Sequence, residues 1–181
     1  MVRAQDVIAI YQSLSGAGIQ VWLTGGWGID ALLGRETREH KDLDILVLVD
    51  DVVPMRELLA RAGYALQELW SENTWTVDAH GTEIPTAFVL QDGEGRQVDA
   101  HAMRLDDRGN GVPAWEHDGF AIQQEHLAGE GTVAGVAVRC ISPESQVLGH
   151  TGYELSPEQS RDLALLQERF GVAHPDQRAG T

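Results

Sequence analysis

The sequence predicts an α/β fold, of the α+β type, in which helices pack against a mixed β-sheet. Helix and strand patterns do not alternate as repeated βαβ units; helical periodicity dominates the first part of the chain and short strands dominate its middle. Two helix-start signals, Ser142-Pro143 and Ser156-Pro157, then predict a helical end, because serine caps a helix and proline favours its first position.

The N-terminal part is predicted to alternate between helices and buried strands. Val7, Tyr11 and Leu14 recur at helical spacing, and Gly16 follows as a stop signal. An apolar, β-branched run after Asp44 is typical of a buried strand. The predicted elements are a helix over 5–15, a strand over 19–23, a helix over 27–33, a strand over 42–49 and a helix over 54–62.

The middle of the chain changes to the period of strands, and the end returns to helix. Residues 92–95, Asp-Gly-Glu-Gly, predict a hairpin turn, and a further hairpin turns near Gly135. The predicted strands are 64–70, 74–78, 84–90, 96–101 and the two arms of 131–140. Together these patterns predict a core over 1–141 and a helical segment over 142–181 that packs on it and ends in a frayed tail.

Composition and charge limit the function classes. The chain has 181 residues, a net charge of -15 and one cysteine, Cys140, so it predicts no disulfide framework and no thiolate cluster. No apolar run reaches the ~20 residues that cross a membrane, and the N-terminus does not resemble a secretory signal. We expect a cytoplasmic monomer or homodimer that does not bind a membrane. We also expect no binding to nucleic acid, because its phosphates are bound by basic residues and this chain is acidic. The acidic charge favours a cationic small molecule or merely aids solubility.

An aspartate pair, Asp42 and Asp44, opens the strand over 42–49. Because side chains alternate along a strand, both carboxylates are predicted on one face, with Leu43 and Ile45 on the other, toward a core. Two adjacent carboxylates repel each other unless they are protonated or bridged by a cation. Mg²⁺ takes one or two carboxylates and completes its shell with water and phosphates. By itself such a pair more often marks a solvated strand end, so the interpretation as a magnesium site depends on the residues around it.

A double glycine and a third aspartate extend this pattern. Gly25-Gly26 precedes a predicted helix, where backbone N–H groups can approach an anion closely. Asp99 and His101 share one face of a later strand. If that strand lies beside the Asp42 strand, three carboxylates converge, and they can hold two ions or one ion plus a base. Phosphoryl and nucleotidyl transfer need little more.

In this order the residues resemble the nucleotidyltransferase fold that DNA polymerase β shares with antibiotic-inactivating nucleotidyltransferases. The spacing resembles the subgroup of aminoglycoside 2''-nucleotidyltransferases and small lincosamide nucleotidyltransferases, from about Val21 to Phe170. The matching blocks are Gly25-Gly26-Trp27-Gly28-Ile29-Asp30, Gly34-Arg35, Thr37-Arg38, His40, Asp42-Leu43-Asp44, Val98-Asp99, His101, His150-Thr151-Gly152-Tyr153-Glu154 and Arg161-Asp162. The resemblance implies a polymerase-β-like nucleotidyltransferase fold with a short C-terminal helical part.

The resemblance also implies roles for particular residues. Asp42 and Asp44 would be metal ligands, and Asp99 would be a ligand or the general base. The implied nucleotide-binding residues are Thr24, Gly25, Gly26, Arg38, His40, Tyr153 and Arg161. Simpler interpretations stay open: Arg38 could form a surface ion pair, His40 and His101 could be structural histidines, Trp27 could be a packing residue, and Asp30 could be a buried hydrogen-bond partner.

The function implied by the resemblance is transfer of a nucleoside monophosphate from an NTP, ATP being favoured, to a hydroxyl of a small molecule. Mg²⁺ would be the cofactor, pyrophosphate the product, and an aminoglycoside- or lincosamide-like antibiotic the acceptor. Glu83, Trp115 and Glu116 lie in segments that could rim an acceptor site, with Trp115 supplying a flat face. The alternatives are an antitoxin-like transferase that modifies a protein and a non-catalytic nucleotide-binding module.

Overall fold

The fold of the chain was analysed in a computed structural model, which describes residues 1–115, 120–151 and 153–172. Its α-helices are α1 (Ala4–Gly16), α2 (Gly25–Leu33), α3 (Val52–Arg61), α4 (Pro143–Leu148) and α5 (Pro157–Phe170). Its strands are β1 (Val21–Leu23), β2 (Asp42–Leu48), β3 (Ala65–Leu69), β4 (Trp75–Val77), β5 (Glu83–Pro85), β6 (Ala87–Gln91), β7 (Gln97–Leu105), β8 (Gly111–Pro113), β9 (Gly129–Val133) and β10 (Val136–Cys140). Short 3-10 turns cover Val49–Asp51 and Gln124–Ala128.

One mixed sheet of eight strands organises the molecule, as the sequence predicts. Its strands lie in the order β3-β6-β7-β2-β1-β10-β9, and β8 pairs with β7, while β4 and β5 form a separate pair. The pairs β2–β7 and β1–β10 are parallel, and the other neighbours in the sheet are antiparallel. The parallel pairing of β2 with β7 is the contact on which the predicted convergence of aspartates depends.

The main core lies between one face of the sheet and the helices α1, α2 and α3. Leu43 and Ile45 of β2 point into it and are 1% exposed, so the predicted inward face of that strand is confirmed. Leu14 of α1 and Met55 of α3 are fully buried in the same cluster. Each such side chain stabilises the fold by about 1.5–3 kcal/mol, which fixes the orientation of the opposite, polar face of β2.

The C-terminal helices pack on the far side of α2 rather than on the sheet. Ile29 of α2 contacts a small core made with Val147 of α4 and with Leu163 and Leu166 of α5. Ser142 and Ser156 cap α4 and α5 as predicted, and each accepts a backbone N–H from the first turn of its helix. This packing places α4 and α5 beside the N-terminal end of α2. The predicted frayed tail falls mostly outside the described residues.

Three elements differ from the prediction. Helix α2 begins at Gly25, so the double glycine forms its first turn. Strand β7 continues to Leu105 and pairs with β8, which the sequence analysis did not predict. The predicted strand over 84–90 is divided at Thr86 because the Asn73 side chain accepts the N–H groups of Thr86 and Ala87. Across the described ranges, we found no helix with the length and apolar character needed to span a membrane.

Candidate active site

A cleft of about 530 Å³ opens between the polar face of the sheet and the C-terminal helices. The first turn of α2 and the start of β2 form its floor, and α4, α5 and the segment between them form the opposite wall. Its lining residues are Thr24, Gly25, Gly26, Arg38, Asp42, Asp44, Leu46, Glu72, His101, Trp115, Ile141, Ser145, Gln146, Gly149, His150, Tyr153, Gln159 and Asp162. The cleft therefore joins residues from both ends of the sequence.

Two of the predicted aspartates, Asp42 and Asp44, lie at this floor, and Asp99 lies on the neighbouring strand. Asp44 of β2 is the register partner of Asp99 on β7, and Asp42 lies one pleat earlier on the same face. Burial raises the pKa of Asp44 well above its usual range, and the charges of Asp42 and Asp99 add to the rise. Without a cation, ionisation of this group is unfavourable because the carboxylates are desolvated and repel one another.

Asp99 lies beside the cleft lining in a more enclosed setting and is 8% exposed. The indole N–H of Trp70 donates to its Oδ1 over 2.8 Å, and Nδ1 of His101 lies 3.4 Å from the same oxygen. Burial raises the pKa of Asp99, while the charge of His101 and the Trp70 hydrogen bond oppose the rise. His101 also lies 3.4 Å from Oε1 of Glu72 and packs edge-on against Trp115.

The backbone of the double glycine packs directly against the aspartate strand β2. Gly25 has a φ of +56°, and a Cβ atom there would collide with the Asp44 carboxylate. The Thr24 N–H donates to the carbonyl of Asp44 over 3.0 Å, which ties the turn to β2. Thr24 is the N-cap of α2, so the first backbone N–H groups of this helix have no partner within it, and Gly25 and Gly26 line the cleft together with Asp42 and Asp44. Such a helix start binds anions.

His40 supports the glycine turn from below instead of lining the cleft. It is 2% exposed, its Nε2 lies 2.6 Å from Oδ2 of Asp30, and its ring packs 4.7 Å from that of Trp27. A Cβ on Gly26 would collide with the His40 ring. The position of His40 therefore favours the interpretation as a structural histidine over a direct contact with phosphate. Asp30 is the buried partner that the simpler interpretation expects, and it also accepts from Thr37.

Arg38 lies in the cleft and is held by the C-terminal helix. Its Nε and Nη2 lie 3.0 and 2.8 Å from Oδ2 of Asp162, a residue of α5 that is 2% exposed. Partial burial of Arg38 acts against its charge, but the hydrogen bond and charge of Asp162 leave the pKa of Arg38 raised. Arg38 thus forms a partly buried ion pair with Asp162 of α5 rather than the surface ion pair that the simpler interpretation expects.

The helical wall adds polar side chains to the cleft that Arg38 lines. Oε1 of Gln146 lies 3.4 Å from the Thr24 hydroxyl oxygen. The buried Nε2 of Gln146 has no hydrogen-bond partner among the described residues. Tyr153 is half exposed, and its hydroxyl accepts from Nε2 of Gln159 over 3.2 Å. Tyr153 lines the cleft, and its assignment to nucleotide binding stays a prediction.

Some predicted residues lie elsewhere. Arg161 is exposed on α5, next to Asp162, and Glu83 is exposed on β5; neither contributes to the described lining of the cleft. Trp115 does line it, whereas Glu116 falls outside the described residues. Sequence reasoning missed Trp70, Glu72 and Gln146. Trp70 ends a predicted strand, Glu72 lies between two predicted strands, and Gln146 follows a helix-start signal. None of these positions shows which strand or helix the side chain faces.

The donor set fits a hard divalent cation. Asp42 and Asp44 offer only oxygen atoms, and the raised pKa of Asp44 reflects a charge that a cation would relieve. In the part of the chain that the structure describes, no three Asp, Glu, His or Cys side chains form a complete metal site by themselves. Two protein carboxylates with phosphate and water completing the shell match the usual preference of Mg²⁺.

Comparison with known proteins agrees with this geometry. The profile of the aminoglycoside-2''-adenylyltransferase family matches residues 6–166. A lincosamide resistance protein from Staphylococcus haemolyticus is 29% identical over 166 residues, which cover 92% of this chain and 95% of that protein. A 2''-aminoglycoside nucleotidyltransferase from Klebsiella pneumoniae is 27% identical over 82% of this chain and 74% of its own length.

Solved structures show the same fold. A lincomycin-bound lincosamide antibiotic adenylyltransferase superposes with a TM-score of 0.76 at 27% identity, covering 92% of this chain and 97% of that one. The ANT(2'')-Ia structure with adenylyl-2''-tobramycin gives a TM-score of 0.65 at 18% identity, over 91% of this chain and 87% of its own. The predicted nucleotidyltransferase fold and enzyme class are confirmed, and the chain belongs to the aminoglycoside-2''-adenylyltransferase family.

Proposed function

We propose that this enzyme uses Mg²⁺ and an NTP, with ATP as the expected donor, to place a nucleoside monophosphate on a hydroxyl of an aminoglycoside- or lincosamide-like antibiotic. The observation that carries this proposal is the placement of Asp42 and Asp44 opposite the first turn of α2 in one cleft. Oxygen ligands and an anion-binding helix start at this spacing suit a metal-bound triphosphate. The family relationship supports the antibiotic as acceptor.

The chain's own groups bind and orient the donor. The backbone N–H groups at Gly25 and Gly26 face the position of the phosphates, and Arg38 offers a fixed positive charge beside them. Mg²⁺ held by Asp42 and Asp44 would neutralise the phosphates and stabilise the charge on the leaving pyrophosphate. Gln146 of α4 also lines the cleft, but its Nε2 is buried beside Gly28 and is not counted among the donors to the phosphates.

Asp99 is suited to accept the proton of the acceptor hydroxyl. Burial raises its pKa, and a carboxylate with a raised pKa is a stronger base. The Trp70 N–H holds Oδ1, so Oδ2 is the oxygen available for the hydroxyl. Deprotonation would let the hydroxyl oxygen attack the α-phosphorus, and the bond from that phosphorus to the bridging oxygen of pyrophosphate would break.

The acceptor would enter beside His101, Trp115 and Glu72, which also line the cleft. Trp115 supplies a flat face for a sugar or a cationic amine, and Glu72 supplies a negative charge that is 43% exposed. This chemistry suits a polyhydroxylated, amine-bearing molecule. The sequence also suggests Glu83 and Glu116 for acceptor binding. Glu83 does not line the cleft, and Glu116 falls outside the described residues.

A pyrophosphate-release screen tests the proposal. Purified protein would be incubated with Mg²⁺, each of four NTPs and a panel of aminoglycosides, lincosamides and neutral sugars, and products would be weighed by mass spectrometry. We expect an antibiotic to gain the mass of one nucleoside monophosphate with stoichiometric pyrophosphate, and EDTA to abolish both. Release of pyrophosphate only with a protein acceptor, or nucleotide binding without turnover on any small molecule, would overturn it.

A further inference from the structure

The ion pair between Arg38 and Asp162 joins two distant parts of the chain at the nucleotide end of the cleft. Arg38 lies in the loop between α2 and β2, and Asp162 lies on α5 with its side chain 3% exposed. Both residues line the cleft. A buried carboxylate with a single cationic partner is costly unless the pair has a defined arrangement, so its geometry is informative.

The hydrogen bonds of Arg38 show which edge of its guanidinium is occupied. Asp162 takes the Nε–H and one Nη2–H, which lie on one side of the planar group. The backbone carbonyl of Glu39 accepts one Nη1–H over 3.2 Å. Since a guanidinium carries five N–H donors, one on Nη1 and one on Nη2 have no partner among the described residues.

The Nη2 group, which carries one of these donors, lies against the glycine turn. Nη2 of Arg38 is 2.8 Å from the position that a Cβ atom on Gly26 would occupy, so the guanidinium packs directly on the first turn of α2. A pair of N–H groups on Nη1 and Nη2 is the edge that grips two oxygens of one phosphate. The same turn presents backbone N–H groups to an anion.

Arg38 would not keep this orientation without a partner. Its side chain is 25% exposed, and a free arginine has about 2 kcal/mol of rotamer entropy that favours other orientations. The Asp162 carboxylate is buried on a helix that Leu163 and Leu166 anchor to α2, so it is a rigid support. An asparagine would keep the shape of this support but lose the charge and one acceptor.

We propose that Asp162 is a positioning residue that holds the Arg38 guanidinium on the glycine turn, with its free edge toward the triphosphate. This inference rests on the proposed function and assigns to α5 a part in donor binding. The competing explanation is that the pair only ties α5 to the core. That explanation predicts a change in stability without a specific change in phosphate affinity.

The test compares Asp162→Asn with Glu168→Gln, which removes an exposed carboxylate from the same helix. Binding of α,β-methylene-ATP with Mg²⁺ and of inorganic pyrophosphate with Mg²⁺ would be measured by calorimetry, and unfolding by thermal denaturation. We expect Asp162→Asn to weaken both ligands about 10- to 100-fold, the usual effect of losing charge-assisted hydrogen bonds. Glu168→Gln should bind as wild type. The KM for the acceptor should be unchanged in both.

A double-mutant cycle with Arg38→Lys separates positioning from a structural tie. Lysine keeps the charge but lacks the planar fork, so Asp162→Asn should weaken binding less than about twofold in that background. Failure of wild-type protein to bind either ligand would refute the proposed function. The inference alone is refuted if wild type binds and Asp162→Asn binds equally well, or if the two substitutions are additive.

Discussion

Gly25 lies so close to Asp44 that a Cβ atom at residue 25 would occupy the space of the carboxylate. The glycine turn and the aspartate strand are therefore one structural unit, which the hydrogen bond from the Thr24 N–H to the Asp44 carbonyl reinforces. Glycine is required twice at this position, for its φ of +56° and for its missing side chain. Under the proposed function, this contact would set the distance between the triphosphate and the carboxylates.

Gly25→Ala should therefore lose activity out of proportion to stability. The left-handed backbone costs an alanine about 1–2 kcal/mol, and displacement of Asp44 should lower kcat about 100-fold. Gly18→Ala is the matched control, because Gly18 has a φ of +79° with open space where its Cβ would lie. We expect Gly25→Ala and Gly18→Ala to lose similar amounts of Tm. Only Gly25→Ala should show a large loss of kcat. Equal kcat values in the two variants would contradict the contact argument.

Asp42→Asn and Asp44→Asn should each abolish measurable turnover. Each substitution removes a charge that would hold Mg²⁺, and the loss of metal-bound charge stabilisation costs several kcal/mol of barrier, or more than about 1,000-fold in rate. Glu57→Gln, on the exposed side of α3, serves as the control for removal of one acidic group. Steady-state rates with saturating NTP and Mg²⁺ provide the measurement. Near-normal turnover in either aspartate variant would exclude that residue as a ligand.

The stability that Asp44→Asn gains over wild type in the metal-free protein should depend on pH. Because the pKa of Asp44 is raised in the fold, folding favours its protonated form, and stability is lost as pH rises from the ordinary value near 3.8 through the raised folded value. Asparagine avoids this loss. With EDTA present, we expect the Tm of Asp44→Asn to exceed that of wild type at neutral pH and the difference to shrink toward acidic pH. A constant difference across that range would argue against the raised pKa.

Much of this site could be predicted because its chemistry is local in sequence. The alternation of Asp42, Leu43, Asp44 and Ile45 determines which side chains face the cleft, and the structure confirms it. The double glycine before a helix likewise carries its own geometric signal. Adjacent carboxylates cannot be kept together at low cost without a cation, so the metal hypothesis followed from residue type alone.

The rest depends on long-range pairing, for which the sequence has no local signal. Trp70 contacts Asp99 because β3 lies beside β6 and β6 beside β7, and nothing near Trp70 indicates that order. Arg161 and Asp162 are neighbours in sequence, but the helical rotation between them buries one and exposes the other. The family resemblance implies nucleotide binding for His40, yet Asp30 and Trp27 enclose its ring below the glycine turn.

Asp99→Asn distinguishes a base from a metal ligand. If Asp99 accepts the hydroxyl proton, its loss should lower kcat about 10²–10⁴-fold while the affinity for NTP with Mg²⁺ stays within a factor of two. A ligand role would weaken that affinity as well. Asparagine keeps an oxygen that can accept from the Trp70 N–H, so the fold should be retained. Unchanged rate and affinity together would remove Asp99 from the site.

Acceptor binding should weaken as salt is added, if the acceptor is a cation. Asp42, Asp44 and Glu72 line the cleft, and the whole chain carries a charge of -15, so a polycationic antibiotic would be attracted over a range that shortens from ~10 Å at 0.1 M salt to ~3 Å at 1 M. The KM of the acceptor should therefore rise with ionic strength more steeply than that of a neutral sugar. Glu72→Gln should flatten this dependence, since Glu72 lies outside the metal pair. A KM that stays constant from low to high salt, or turnover of neutral acceptors alone, would show that the acidic charge serves solubility instead.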